Sequence, residues 1–378
     1  MAFDLNGFIA VIENAHTKVP LPELNAKLRQ LSLPTASSWQ KTAQVLAAHA
    51  SSPASKSQHS DLDSLVSWIA SYASYSNKVL SIYNLGKMSK LEASTLADTL
   101  ETTLPSLHIS TSHPTGKFPA FASGNQLKGL SGRIVFRERR KGKFGDEYLF
   151  SSFKEYQLRE TLPLSTADAQ TLPKLSGYQK IIGLRQVVHE HIDLVRVSHS
   201  LLESGVGSIE ILVDGTKPGG AILSADEIKT RTETYISLIS KALSGSLHRD
   251  FPKARNLYSA MSKLYSSKEG NICELYFTTA IGGSVKREKM KRNSTDLRSE
   301  TWHAGGRNAI LSAPTPDTID IYRLSVSWKL SYSLDEPVMS ILGTYKSLST
   351  GEVTHALISG CTEEPSFNHA ITSLIRFS

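Results

Sequence analysis

Cysteine is scarce in this sequence: there are two in 378 residues, Cys273 and Cys361. They stand far apart, whereas zinc knuckles, iron–sulfur motifs and disulfide frameworks need paired or clustered cysteines. Those cysteine-based sites are therefore excluded. The low count fits a reducing compartment, and we expect a cytoplasmic protein.

Long apolar runs are also missing. No window approaches 18 uninterrupted apolar residues, the length at which a transmembrane helix is expected. The opening stretch MAFDLNGFIAVIENAH is too acidic, and its apolar run too short, for a signal peptide. We therefore expect no membrane partner.

The phosphate-binding and nucleophile motifs of several large enzyme classes do not occur. None of the glycine pairs reads Gly-x-Gly-x-x-Gly or Gly-x-x-x-x-Gly-Lys-Ser/Thr, the loops that cradle the phosphates of nucleotides. No Gly-x-Ser-x-Gly elbow is present to carry a serine nucleophile. We expect no cofactor, unless the histidine cluster described below holds a divalent metal ion.

What the sequence does have is positive charge in two places. The net charge is +7, and residues 111–160 hold ten basic against five acidic side chains. Residues 286–310 hold seven against three, so these two segments contribute +5 and +4 while the rest sums to −2. Charge clustered in this way marks a surface for an anionic partner, or a loop that is kept solvated.

Residues 1–106 are predicted to form a helical domain, because apolar residues recur there at spacings of three and four. Ser60 reads as the start of a helix whose apolar stripe runs from Leu62 through Val79 to Ile82. Ser89 and Glu92 spell a capping box that opens another helix. A pair of short helices around Pro34 fits either a helix-turn-helix or an ordinary helical hairpin. A linker rich in Ser, Pro and Thr is predicted at 107–120.

Residues 121–378 are predicted to form a mostly antiparallel sheet domain with interspersed helices, which makes the fold class α+β. RIVFRER and EYLFSSF read as a hairpin, and a turn is predicted at Gly205. Ser224 with Glu227 opens a helix that Gly245 is expected to stop. From Asp320 to Ser333 apolar and polar residues alternate with the period of a strand that has one buried face. A further hairpin is expected about Gly351.

The hairpin is one of the two basic elements. Its tip and flanks carry basic residues from Arg133 to Lys143, with Phe144 and Tyr148 among them. A ribbon of this kind can lie along a nucleic-acid backbone or in a groove. The alternative is an edge strand that positive charge protects from aggregation.

The second basic element is KREKMKRNSTDLRSETWHAGGR, which we predict to be a long loop between strands. Lys and Arg can neutralise phosphates, Trp302 can stack on a base, and Gly305-Gly306 lets backbone amides approach an anion. The alternative is a solvated loop whose basic residues resemble a nuclear-import signal. The residues predicted to contact nucleic acid in the two elements are Arg137, Arg139, Arg140, Lys141, Lys143, Lys286, Arg287, Lys289, Lys291, Arg292, Arg298 and Trp302.

His189, His191 and Asp193 form a candidate metal site, because residues two apart share one face of a strand. Two imidazoles and a carboxylate can hold zinc, manganese or iron and activate water. Over these five residues the stretch resembles part of the metallo-β-lactamase-type hydrolase signature, which would imply a metal-dependent hydrolase. That family continues with another His directly after the Asp, whereas Leu194 stands here, and its downstream Gly-rich and His-bearing motifs are missing. Glu210 or Asp214 would supply further carboxylates.

The leading interpretation is a nucleic-acid-binding protein, for DNA or RNA, that is non-catalytic and weakly sequence-specific and acts through its two basic elements. The rival is a metal-dependent hydrolase or nuclease that uses the histidine cluster. A third interpretation is a scaffold subunit that forms a homo-oligomer, or binds a protein partner, through the helical domain.

Overall fold

The computed structural model describes residues 4–52, 56–107, 109–163, 180–198, 206–243, 251–279, 283–291, 295–312 and 318–378. A ten-stranded antiparallel sheet runs through them in the order β2-β3-β4-β5-β1-β10-β9-β8-β6-β7. The strands are β1 Lys78–Lys87, β2 Ile134–Lys141, β3 Gly145–Pro163, β4 Lys180–Ser198, β5 Val206–Asp214, β6 Asn271–Thr279, β7 Val285–Lys289, β8 Ile319–Ser327, β9 Val338–Ile341 and β10 Ala356–Ser359. The predicted α+β class is confirmed.

Ten α-helices pack around this sheet in the described residues. They are α1 Leu5–Asn14, α2 Leu21–Gln30, α3 Trp39–Ser51, α4 Lys56–Tyr75, α5 Lys90–Thr103, α6 Ala225–Ala242, α7 Tyr258–Ser266, α8 Thr301–Leu311, α9 Ser347–Thr350 and α10 Glu364–Phe377. None of these helices combines the length and the apolar composition needed to span a bilayer.

Two hydrophobic cores lie on opposite faces of the sheet. One joins the N-terminal helices to α7 and α10, and the other holds α5 and α6. Strand β1 shows the division, because Leu80 belongs to the first core and its neighbour Val79 to the second. Successive strand residues point to opposite faces, so a strand covered by helices on both sides is apolar at consecutive positions.

That double burial explains the main error in the helical prediction. Helix α4 begins before Ser60 and ends at Tyr75, and Asn77 adopts a left-handed turn with φ 53°. The chain then enters β1, so Val79 and Ile82 lie in a strand that pairs with β5 and β10 at the middle of the sheet. The apolar run of a fully buried strand has no period of two, and its three-residue spacings resemble those of a helix.

Several local predictions are confirmed. Helix α5 begins with the Ser89–Glu92 capping box and α6 with the Ser224–Glu227 box, each with both reciprocal hydrogen bonds. Strands β2 and β3 form the predicted hairpin, and β9 pairs with β10. Gly351 lies between them with φ 63°.

The alternating strand is shorter than expected, since β8 ends at Ser327. The turn at Gly205 and the helix stop at Gly245 lie outside the described residues.

The segment from residue 285 to 308 is not the long loop that was predicted. It holds β7, which pairs with β6, and most of helix α8. The strand was missed because four of its five residues are charged, and the helix because Gly305 and Gly306 have low helix propensity. Glu300 caps α8 by accepting a hydrogen bond from the backbone N–H of His303 at 3.0 Å.

The two basic elements form opposite edges of the sheet. Strand β2 begins the strand order and β7 ends it. Nine strand spacings of about 4.8 Å separate them, which is about 43 Å measured along the sheet. They therefore present two separate surfaces.

Candidate functional site

Arg137 of the basic hairpin has a buried side chain that binds other residues of the protein. Its side chain is 1% exposed, and Nη1 lies 3.1 Å from Glu190 Oε1. Nη2 donates to the carbonyl of Ala120 at 2.8 Å. The same carboxylate accepts from the backbone N–H of Ala122 at 2.7 Å and lies 3.0 Å from His113 Nε2. Arg137 thus belongs to a buried network, and its side chain is not exposed to solvent.

The next two arginines of the hairpin are also paired. Arg139 Nη1 lies 2.7 Å from carboxylate oxygens of both Asp98 and Glu101, and its side chain is 16% exposed. Arg140 pairs with Glu138 and donates to the hydroxyl of Ser74. Of the predicted contacts in this element, only those at the tip remain exposed, Lys141 and Lys143.

Strand β7 presents its cations to solvent. Lys286, Arg287 and Lys289 are exposed on the strand, and Lys291 is exposed just after it. The side chains of Arg287 and Lys289 are 59% and 60% exposed, although both approach the carboxylate of Glu274. Arg292 lies outside the described residues.

Arg298 has a structural role. Its side chain is 13% exposed and pairs with Asp296 at 2.9 Å. It also donates to the backbone carbonyls of Ser267 and Gly270. These bonds fasten the segment before α8 to the turn that enters β6.

Trp302, in contrast, is 87% exposed in the first turn of α8. It lines a groove of about 550 Å³ together with Lys286, Arg307 and both glycines of the helix. Beneath it, buried His303 lies 2.7 Å from the Tyr265 hydroxyl and also contacts Glu288 of β7. The buried histidine ties α8 to β7, so the exposed indole is held beside the basic strand.

On the face of β7 opposite to α8, arginine and tyrosine side chains form a row. Tyr276 of β6 stands directly opposite Arg287 of β7 and Arg323 of β8 in the strand register. The two guanidinium carbons lie 4.9 and 5.2 Å from the centre of the tyrosine ring. Sequence analysis missed this row, because the pairing of three strands cannot be read from one strand's alternation.

The His189 cluster lies on one face of β4, as predicted, but its carboxylate is fully occupied. Asp193 pairs with Arg231 and accepts from the hydroxyls of Tyr235 at 2.8 Å and Ser152 at 2.6 Å. Its other oxygen also accepts from the backbone N–H of Asp214 at 2.8 Å. Within the described residues, no group of three or more His, Cys, Asp or Glu side chains is arranged to hold a metal ion.

Asp214 and Lys18 lie beside the two histidines. The Asp214 carboxylate lies 3.6 Å from His191 Nδ1 and 3.6 Å from Lys18 Nζ. Lys18 Nζ lies 3.4 Å from His189 Nε2, and the Tyr156 hydroxyl lies 2.9 Å from His191 Nε2. The ammonium group of Lys18 therefore contacts both His189 and Asp214, and its positive charge disfavours a metal cation beside them.

Burial sets the protonation of this cluster. Burial, together with the smaller effect of the neighbouring cations, lowers the pKa of His189 to about 2 and that of His191 to about 4. Lys78, which donates to the carbonyl of Ile192 at 2.6 Å, has its pKa lowered to about 8 by burial. Its neighbour Asp214 has a pKa well below the usual value, since Lys78 and Lys18 outweigh the opposing effect of burial.

A cavity of about 450 Å³ opens beside this cluster. Lys18, His189 and Asp214 line it together with the loop that carries Gly219 and Gly220. Its acids and bases are already paired with one another, and Lys217 at its rim pairs with Glu227 at 2.6 Å. The charged side chains of the cavity walls therefore already have partners within the protein.

Glu210, the other candidate catalytic carboxylate, belongs to a separate buried network. It lies 3.2 Å from Arg196, which also binds Glu147 at 2.6 Å. Tyr75 of α4 donates to Glu147 at 2.8 Å. The network joins the N-terminal helices to the sheet, and it leaves Glu210 enclosed and paired with an arginine.

Comparison of the chain with protein-family models, with curated proteins and with solved structures finds no match. The functional argument therefore rests on the geometry of the surfaces and clusters described above.

Proposed function

We propose that this chain is a cytoplasmic, non-catalytic nucleic-acid-binding protein with weak sequence specificity. Its contact surface is the basic edge, defined as the exposed cations of β7 and the residue following it, Lys286, Arg287, Lys289 and Lys291, together with Trp302. The observation that carries the proposal is that these cations stay exposed, whereas Arg137, Arg139 and Arg140 are less exposed and form ion pairs with carboxylates of the protein. Phosphate contacts by exposed Lys and Arg supply most of the affinity in sequence-independent binding.

The exposure of Trp302 also supports the basic edge as the contact surface. An indole that is 87% exposed is unusual, and here it stands beside the cation of Lys286. Bases stack on exposed aromatic rings regardless of their sequence. Phosphate neutralisation and stacking would then occur at one edge of the sheet.

The setting agrees with a reducing compartment. Cys273 and Cys361 are free and buried, and burial raises the pKa of both thiols, that of Cys273 to about 11. Neither thiol is therefore poised as a nucleophile at neutral pH.

The test is fluorescence anisotropy of labelled single- and double-stranded DNA and RNA across a salt series. Lys286→Gln/Lys291→Gln removes two cations of the basic edge, and Lys141→Gln/Lys143→Gln removes two from the hairpin tip as the matched control. We expect the first pair to reduce the log–log salt slope by about 1.4 to 1.8, the value for two lost phosphate contacts. The control pair should leave the slope unchanged.

Two outcomes would contradict the proposal. Absence of binding by the wild-type protein even at low salt would remove nucleic acid as the partner. Equal loss in the two pairs would show that only net charge matters and that the basic edge is not the contact surface.

Assembly through the N-terminal helices remains a separate proposal. A groove of about 530 Å³ lies between α1 and α3, lined by Phe8, Ile12 and Trp39 among others. A homo-oligomer or a protein partner bound through the helices would use this groove. Mass determination in solution, with Trp39→Ala compared with wild type, tests the homo-oligomer.

A further inference from the structure

We propose that the sheet face beside the basic edge binds the bases of single-stranded nucleic acid by stacking. This inference rests on the proposed function and names its ligand class. The surface, called here the arginine–tyrosine face, consists of Arg287, Tyr276, Arg323, Tyr322 and Tyr345 on β7, β6, β8 and the loop after β9.

The strand register builds the centre of this face. Tyr276 stands on β6, and its two cross-strand neighbours are Arg287 on β7 and Arg323 on β8. Both guanidinium groups lie within about 6 Å of the ring, the range of a cation–π contact. These contacts hold two planar cations in place before any ligand binds, which lowers the entropy cost of binding.

The charge of this face is not balanced. One carboxylate, that of Glu274, lies 3.2 Å from Arg287, 3.7 Å from Lys289 and 4.0 Å from Arg323. Its side chain is 10% exposed, whereas those of Arg287 and Lys289 are about 60% exposed. The negative charge therefore lies beneath the cations, and the outer surface is positive.

Arg323 has unused hydrogen-bonding capacity. Its Nε is buried and lacks a hydrogen-bond partner among the described residues. Its contact with Glu274, at 4.0 Å, is at the limit for an ion pair. The Arg323 side chain as a whole is 32% exposed, so the outer part of the guanidinium can donate to a phosphate oxygen or a base edge.

A line of tyrosines extends the face outward. The ring of Tyr322, which is 7% exposed, lies 5.9 Å from that of Tyr276 and 6.0 Å from that of Tyr345. Tyr345 is 58% exposed at the end of this line. The buried ring supports the exposed one, so Tyr345 offers a ring surface on which a base can stack.

These features favour a single strand over a duplex and over an acidic protein. In a duplex the bases are stacked on each other, so only phosphates reach a sheet surface, and a tyrosine there adds little. An acidic peptide would pair with the cations, but its Asp and Glu side chains have no aromatic ring that could stack on Tyr345. An unpaired base has a π-face for the tyrosine and the arginines, and its backbone supplies the phosphate.

The experiment uses Tyr345→Ala, with Tyr332→Ala as the matched control, because Tyr332 is 60% exposed on a different loop. Each full-length variant is titrated by anisotropy with a homopolymer of about 20 nucleotides, as DNA and as RNA, and with a duplex of equal length. We expect Tyr345→Ala to weaken single-strand binding by roughly five- to a hundredfold, the range for loss of one stacked base. Duplex affinity and the salt slope should not change, and Tyr332→Ala should bind as wild type.

A second variant, Arg323→Lys, keeps the positive charge and removes the planar guanidinium group. We expect it to weaken single-strand binding without a change in salt slope, since the number of neutralised phosphates stays the same. The DNA and RNA arms show which backbone is preferred. Circular dichroism of each variant verifies that it is folded.

The possible failures are distinguishable. If the wild type binds no nucleic acid, the proposed function fails and this inference fails with it. If the wild type binds but Tyr345→Ala and Arg323→Lys behave as Tyr332→Ala, the proposed function stands and stacking on this face is overturned. Equal loss for single strands and duplex would also overturn it, because a stacked base is available only in the single strand.

Discussion

At the scale of single residues, the main feature is how completely buried charge is paired. Asp193, Arg196 and Glu210 are all 1% exposed or less, and each has an oppositely charged partner. A buried ion pair adds little net stability over an apolar pair of similar shape, but removal of one partner leaves a bare charge. The residues in these networks are therefore sensitive to substitution whether or not they have a chemical function.

Asp193→Asn tests this sensitivity. The change leaves the Arg231 guanidinium, with a side chain 4% exposed, without its carboxylate. We expect the free energy of unfolding to fall by about 3 to 5 kcal/mol, measured by urea denaturation. The control is Asp98→Asn, whose carboxylate is 61% exposed and pairs with Arg139 at the surface. It should cost no more than about 1 kcal/mol, and equal losses in the two variants would contradict the argument.

His189 and His191 make stability depend on pH. Burial lowers their pKa values to about 2 and about 4, whereas the ordinary value is 6.5. The unfolded chain therefore takes up protons more readily, so the stability contributed by the neutral rings is complete above about pH 6.5 and is lost as the pH falls. We expect the free energy of unfolding to drop by up to ~1.4 kcal/mol per pH unit for each histidine between about pH 6.5 and about pH 4.

Urea denaturation at a series of pH values measures this slope. His191→Gln removes one titrating ring and should flatten the curve above about pH 4, where the buried carboxylates with lowered pKa values contribute little. His16→Gln, at an exposed histidine, should keep the wild-type slope. A His191→Gln curve parallel to that of the wild type would show that the buried ring does not control the pH dependence.

At the scale of elements, the capping boxes and the hairpin could be predicted because their signals are local. Ser89 and Glu92 lie three residues apart and bond to each other within one turn. Strand β7 could not be predicted, because it has no apolar face of its own and exists through its hydrogen bonds to β6. The Arg287–Tyr276–Arg323 row was hidden for the same reason, since its members are separated along the chain and meet only through strand register.

The turn that enters β6 packs closely against β8, and Gly270 makes this close approach possible. Gly270 has φ +64°, and a Cβ there would lie 2.6 Å from Val326 Cγ1 and 2.9 Å from Ser327 O of β8. Gly351 has φ +63°, and a Cβ there would meet open space. The two glycines thus share a backbone conformation and differ in their surroundings.

Alanine substitutions at Gly351 and Gly270 separate the cost of backbone strain from the cost of steric crowding. We expect Gly351→Ala to lower the free energy of unfolding by about 1 to 2 kcal/mol, the cost of a left-handed conformation. Gly270→Ala should cost about 1 to 3 kcal/mol more, because β8 must move away from the added methyl group. Thermal and urea denaturation measure both changes, and equal costs would mean that β8 yields without penalty.

At the scale of the whole molecule, the fold class could be predicted but the path of the chain through the sheet could not. The predicted helical region at 1–106 contributes β1, which lies between β5 and β10. The apolar sequence VLSIY of β1 indicates a buried segment but does not indicate its position in the sheet. The buried pairings of Lys18 with Asp214 and of Arg137 with Glu190 also depend on tertiary structure, so charge counted along the chain overstated the cations available to a ligand.

The position of β10 has a consequence for synthesis on the ribosome. This four-residue strand joins the five strands from β2 to β1 to the four from β9 to β7, and its register pairs Ala356 with both Leu80 and Ile341. The centre of the sheet therefore stays open until nearly all of the described chain has emerged from the exit tunnel. During that interval β1 lacks one neighbour and its free edge can pair with other chains. β10, the last of the described strands along the chain, thus covers an edge of β1 that would otherwise be open to pairing with another chain.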